Sequence, residues 1–169
     1  MDNLIQHSLA LKQDADKIIQ DTKINEIFSS IGKVVFVGSY ILNLLYRRDI
    51  DLFVLTDNCS KENADNVTKK LNDSSKFQTI DFANWNTGYY WKLEYIYQNN
   101  KWKFDVWYTS EKNIITIEKT KKILNMLQQN PEARKQILKM KQNLYNGGTY
   151  KDNMNGFKIY EQVLGKIED

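Results

Sequence analysis

The sequence predicts an α/β (α+β) fold, a mixed β-sheet with flanking helices and a helical C-terminal part. Three observations carry this expectation. Apolar residues recur at helical spacing at both ends of the 169-residue chain. Between the ends, short β-branched runs alternate with helical segments, in the order strand, helix, strand, helix, strand, hairpin. The stretch "YWKLEYIYQNNKWKFDVWY" alternates with period two on both sides of a central polar turn.

Each element has its own reason. In "LIQHSLALKQDADKIIQ", Leu4, Ile5, Leu9, Ala15, Ile18 and Ile19 share one helical face. "INEIFSSIG" reads as a short second helix ending at Gly32. "KVVFVG" is a β-branched strand stopped by a glycine. "SYILNLLYR" has the composition of a short helix, with Ser39 as its expected N-cap. "DIDLFVLTD" is the next strand, "SKENADNVTKKLND" a polar helix capped by Ser60, and "KFQTIDF" a third strand. In the hairpin, Asn99 and Asn100 are expected at the turn, because asparagine tolerates positive φ. Gln98 then faces Lys101, and Glu94 lies across from Asp105. Trp91, Leu93, Tyr95, Tyr97, Trp102, Phe104, Val106 and Tyr108 form the core face. Lys92, Glu94, Ile96, Lys103, Asp105 and Trp107 form the other. "NIITIEKTKKILNMLQQ" is a helix, Pro131 opens another that Gly147 and Gly148 end, and "NGFKIYEQVLGKI" is the last. The expected organisation is a core over 1–110 and a helical segment over 111–169 packed on it as one compact unit.

Composition narrows the function. No apolar run reaches bilayer-spanning length, and the N-terminus lacks the pattern of a signal peptide. A lone cysteine, Cys59, forms no internal disulfide, and one histidine, His7, leaves no Cys/His zinc cluster. These readings make a cytoplasmic protein the expectation, with no membrane partner. The net charge of +3 is spread along the chain, so no basic stripe for duplex DNA is expected. A monomer or homodimer fits equally.

The chemistry concentrates in "GSYILNLLYRRDIDLFVL", Gly38 to Leu55. Two aspartates sit in an apolar strand, where an unpaired carboxylate is costly. Residues two apart on a strand share a face, so Asp49 and Asp51 project together while Ile50, Leu52 and Val54 point to the core. Two like charges held that close raise each other's pKa, and a divalent cation removes the conflict. Upstream, the strand ends at Gly38 and a helix begins at Ser39, a place where backbone N–H groups meet phosphate and glycine permits close approach.

Gly38-Ser39, followed after nine residues by Asp49-Ile50-Asp51-Leu52, resembles the signature of the nucleotidyltransferase superfamily typified by DNA polymerase β, and in particular its small single-domain members. The resemblance runs from about Ile31 to Tyr108. It implies a mixed-sheet nucleotidyltransferase core that uses Mg²⁺ or Mn²⁺ and takes an NTP such as ATP as substrate. It implies that Gly38 and Ser39 hold the triphosphate, and that Asp49 and Asp51 bind metal. It implies a third carboxylate on a later strand, for which Asp105 in "KFDVWY" is preferred over Asp81. Asp49, Asp51 and Asp105 are therefore the expected catalytic and metal-binding residues. Lys103 and Arg48, or its neighbour Arg47, are expected to neutralise phosphate charge. The implied reaction moves a nucleoside monophosphate to a hydroxyl on a small molecule, a protein or an RNA end, and releases pyrophosphate. The alternative is a nucleotide-binding regulatory module with the same fold and no turnover.

Overall fold

A computed structural model of the chain describes residues 3–85, 88–112, 114–148 and 156–167. Five strands form one mixed sheet, in the order β1-β2-β5-β4-β3: β1 (Lys33–Val37), β2 (Asp49–Leu55), β3 (Thr79–Trp85), β4 (Gly88–Tyr97) and β5 (Asn100–Thr109). β2 runs parallel to β5 and antiparallel to β1, and β4 runs antiparallel to both β5 and β3. Among the described residues the helices are α1 (Asn3–Thr22), α2 (Ile24–Ser29), α3 (Gly38–Ile41), α4 (Lys61–Ser74), α5 (Ile115–Gln129), α6 (Glu132–Asn146) and α7 (Gly156–Leu164).

The alternation in the strands decides which sheet face is core. Ile50, Leu52, Val54, Trp91, Leu93, Trp102, Phe104, Val106 and Tyr108 are all buried on one face. They pack with Leu11, Ala15 and Ile18 of α1, Ile24 and Phe28 of α2, and Ala64, Val67 and Leu71 of α4. Burying a large aromatic or branched side chain contributes about 1.5–3 kcal/mol, so this layer is the main source of sheet stability. A second apolar cluster joins α5, α6 and α7 to Leu42 and Leu44, with Leu4 and Ile5 of α1 packed against it. α4 is capped as its sequence predicts, with the Ser60 hydroxyl accepting from the Asn63 N–H at 3.2 Å.

Two local expectations are corrected. The hairpin turns at Gln98 and Asn99, with φ of 48° and 59°, and pairs Tyr97 with Asn100. Two successive positive φ values define the turn that suits strand twist, and Gln98, not Asn100, joins Asn99 in it. The face of every side chain is unchanged, but the partners move. Asp105 faces Lys92, and Glu94 faces Lys103. The second correction concerns α3, which is a single turn rather than a helix through Arg47. Val37, not Ser39, precedes it. Asn43 takes a positive φ of 54°, and the Leu44 N–H turns back to the Ser39 carbonyl at 2.9 Å. The chain breaks there because Leu42 and Leu44 enter the cluster of the C-terminal helices while Leu45 enters the main core. No single helical face could serve both.

Candidate active site

β2 and β5 lie side by side in parallel, with Asp49 opposite Lys103 and Asp51 opposite Asp105. Period-two alternation puts all four side chains on the face away from the main core. One carboxylate oxygen from each of Asp49, Asp51 and Asp105 lies within 4.8 Å of the others. The Lys103 ammonium bridges them, at 2.7 Å from Asp105 Oδ2 and 3.5 Å from Asp49 Oδ1. On the far side of Asp105, the Tyr90 hydroxyl donates to Oδ1. Asp81 lies exposed on the outer strand β3, two strands from β5, and does not join the cluster. Glu94 is engaged elsewhere, accepting from Thr79 Oγ1 and Lys101 Nζ, each at 3.0 Å.

The acids face a cleft of about 500 Å³. Gly38 forms its edge. Its φ of +65° belongs to the left-handed region, and a Cβ built there would lie 2.9 Å from Asp51 Oδ2. Glycine is therefore required twice, by the backbone and by the approach of the carboxylate. The opposite wall comes from the C-terminal helices. Lys141 of α6 is buried, and its ammonium donates to Ser39 Oγ at 2.8 Å and to the Leu44 carbonyl at 2.8 Å. Tyr160 of α7 completes the set, its hydroxyl 3.2 Å from Lys141 Nζ and 3.0 Å from Ser39 Oγ. Ser39 is thus the junction between the sheet-side turn and the helical segment.

Electrostatics follow from this crowding. Burial first, then the charges of Asp49 and Asp105, push the Asp51 carboxyl up to about 8. Burial also raises Asp49, against the pull of Lys103. For Lys103 the attraction of Asp49 and Asp105 outweighs burial and holds the ammonium above its ordinary range. Lys141, buried among neutral oxygens, is pulled down to about 7. Tyr160 is pushed up to about 12 by burial.

These features fit a hard divalent cation. The donors are all carboxylate oxygens. Asp49 Oδ1 is buried and makes no hydrogen bond. The crowding that raises Asp49 and Asp51 is relieved by a cation, which favours their ionised form. Of the residues expected to meet phosphate, Gly38, Ser39 and Lys103 line the cleft. Arg47 lines it as well, with its guanidinium 4.9 Å from the centre of the Tyr145 ring. Arg48 is exposed and lies outside the lining; its carbonyl accepts from the Lys103 N–H at 3.0 Å. Sequence reasoning passed over Lys141, Tyr160 and Tyr90. Lys141 had a readable signal: it follows Ile137 by four residues and Leu138 by three, which sets a lysine on the apolar face of α6.

With the geometry established, solved structures supply the comparison. A mutant of the Cid1 poly(U) polymerase bound to MgATP superposes with a TM-score of 0.69 at 17% identity, covering 95% of this chain and 49% of that one. The noncanonical poly(A) polymerase complex GLD-2–GLD-3 matches at a TM-score of 0.63 and 12% identity, covering 95% and 57%. The conserved protein GrpB from Enterococcus faecalis matches at 0.53 and 17% identity, covering 94% and 92%. At these identities the likeness is one of fold, and the chain has the nucleotidyltransferase fold of the polymerase β-like type. It spans about half the length of the Cid1 and GLD-2 chains it matches. No protein-family model and no curated protein matches the sequence.

Proposed function

We propose that the chain is a metal-dependent nucleotidyltransferase that moves a nucleoside monophosphate from an NTP to a hydroxyl acceptor and releases pyrophosphate. The observation that carries this reading is the convergence of the Asp49, Asp51 and Asp105 carboxylates within 4.8 Å beside the Gly38 turn. Asp49 and Asp51 hold the cation that accompanies the nucleotide. When bound, Mg²⁺ or Mn²⁺ supplies Lewis acidity at the α-phosphate and neutralises the triphosphate. Gly38 leaves room for the triphosphate against the backbone, and the Ser39 hydroxyl with the Lys141 ammonium meets its distal oxygens. Arg47 and Lys103 add positive charge at the mouth and floor of the cleft. The acceptor oxygen attacks the α-phosphorus in line with the departing pyrophosphate, and its proton leaves toward Asp105. Most of the rate enhancement comes from positioning and fixed charge.

The test is a screen of labelled NTPs with Mg²⁺ or Mn²⁺ against pooled acceptors, including aminoglycosides, RNA and the protein itself, read as pyrophosphate release. Label transfer that depends on metal and on Asp51 supports the reading. A second reading is a nucleotide-binding module with the same fold and no turnover. It predicts metal-dependent NTP binding with no pyrophosphate in the same assay.

A further inference from the structure

We infer that the site takes one divalent cation, on Asp49 and Asp51, and that the Lys103 ammonium stands in the place of a second, acceptor-side ion between Asp49 and Asp105. This rests on the nucleotidyl-transfer reading above and makes it narrower.

The third carboxylate is already engaged by the protein on both oxygens. Asp105 is buried, and each of its oxygens has a donor: Tyr90 on Oδ1, and Lys103 on Oδ2 at 2.7 Å. Asp51 differs sharply, since no donor among the described residues hydrogen-bonds its carboxylate. Asp49 Oδ1 has the ammonium at 3.5 Å as an ion-pair partner but no hydrogen bond. The acids therefore divide into an open pair and a closed third member.

The closure is built into the sheet. Lys103 and Asp105 are two apart on β5 and project from the same face, and the parallel register places Lys103 opposite Asp49. The ammonium thus lies where an ion shared by Asp49 and Asp105 would lie. A Mg²⁺ ligated by Asp105 needs a carboxylate oxygen at about 2.0–2.1 Å, and the Nζ already fills that space. Displacing it breaks two charge-assisted contacts and leaves a cation beside a divalent ion. A fixed ammonium supplies positive charge and a hydrogen-bond donor to an acceptor oxygen without those costs. In this arrangement Asp105 receives the acceptor proton and also holds Lys103 through Oδ2, while Tyr90 on Oδ1 fixes its carboxylate.

The experiment counts ions. The chain is titrated with Mn²⁺ in the presence of a non-hydrolysable α,β-methylene NTP, and bound Mn²⁺ is measured by electron paramagnetic resonance. Wild type is expected to bind one Mn²⁺ per chain, Lys103→Met two, and Lys103→Arg one. Circular dichroism confirms the fold of each variant, and Lys103→Gln replaces Lys103→Met if the latter does not fold. Two Mn²⁺ in wild type, or one in wild type and in the folded neutral variant alike, overturns the inference and leaves nucleotidyl transfer standing. No Mn²⁺ in any protein, with or without the analogue, removes the nucleotidyl-transfer reading and this inference together.

Discussion

Asp51 concentrates the electrostatic cost of the site. Its native carboxyl titrates near 8, whereas an unfolded aspartate titrates near about 3.9. Between those values the native state holds a proton that the unfolded state has lost. Stability from this group is therefore present at low pH, declines as pH rises through the window, and is fully lost above about 8. In chelator, the melting temperature of Asp51→Asn should exceed that of wild type by a margin that widens from about pH 4 to 8 and then stays flat, with each kcal/mol worth roughly 2–4 °C. A margin independent of pH contradicts this. Asp105 differs because its partners are protein donors. Asp105→Asn should leave NTP affinity within a few-fold of wild type while single-turnover transfer falls by roughly 10²–10⁴. Lys141 carries the opposite sign. Its native ammonium titrates near 7, far below the about 10.4 of an unfolded lysine. The native state binds fewer protons between these values, so this group's contribution to stability rises with pH across that window. Lys141→Met should abolish that rise and weaken NTP binding by about 10–100-fold, the loss expected for a charged hydrogen bond of about 1.5–3 kcal/mol. Denaturant unfolding across the pH range checks the first effect, and isothermal titration with NTP checks the second.

At the scale of elements, the β4–β5 hairpin sets the register that aligns Lys103 and Asp105 with β2. Its turn forces both Gln98 and Asn99 into positive φ, a conformation that costs a non-glycine residue about 1–2 kcal/mol. Glutamine has no special tolerance for it. Gln98→Asn combined with Asn99→Gly should raise stability by about 1 kcal/mol without altering the site, read as a higher denaturation midpoint at unchanged NTP affinity. A fall in stability would show that the turn is held by its side chains. The short α3 matters for a different reason. By ending after one turn it sends Leu42 and Leu44 outward to the C-terminal helices, and this brings Ser39 within reach of Lys141 and Tyr160.

Across the whole molecule, the cleft joins the two parts of the chain. The carboxylates come from the sheet, and the buried ammonium and phenol come from α6 and α7. A triphosphate seated there, as proposed, would touch both, and its binding free energy would add to global stability. At a ligand concentration of 100 times Kd the gain is about 2.7 kcal/mol, roughly 5–11 °C at this chain length. MgATP or another NTP should produce such a shift in wild type, and Asp49→Asn should remove it. An equal shift in both proteins would place the nucleotide elsewhere. Among the described residues no helix is long and apolar enough to cross a membrane.

The sequence by itself determined much of the sheet. Alternation in β2, β4 and β5 marked the buried face correctly, because period-two side-chain direction depends only on local backbone geometry. The same rule put Asp49 and Asp51 on one face and Lys103 and Asp105 on another strand's matching face. Ser60 and Gly147 marked helix ends through equally local hydrogen bonding and conformation. The tertiary structure alone decided the rest. Parallel pairing of β2 with β5 brought Asp51 opposite Asp105 across more than fifty positions of chain, a choice no local pattern encodes. The hairpin register depended on which two residues accepted positive φ, and Gln98 accepted it against its own preference. Lys141 became a site residue only when α6 folded its apolar face against the α3 turn. Local geometry sets the direction in which a side chain points; which groups meet there is set by packing between elements distant in sequence.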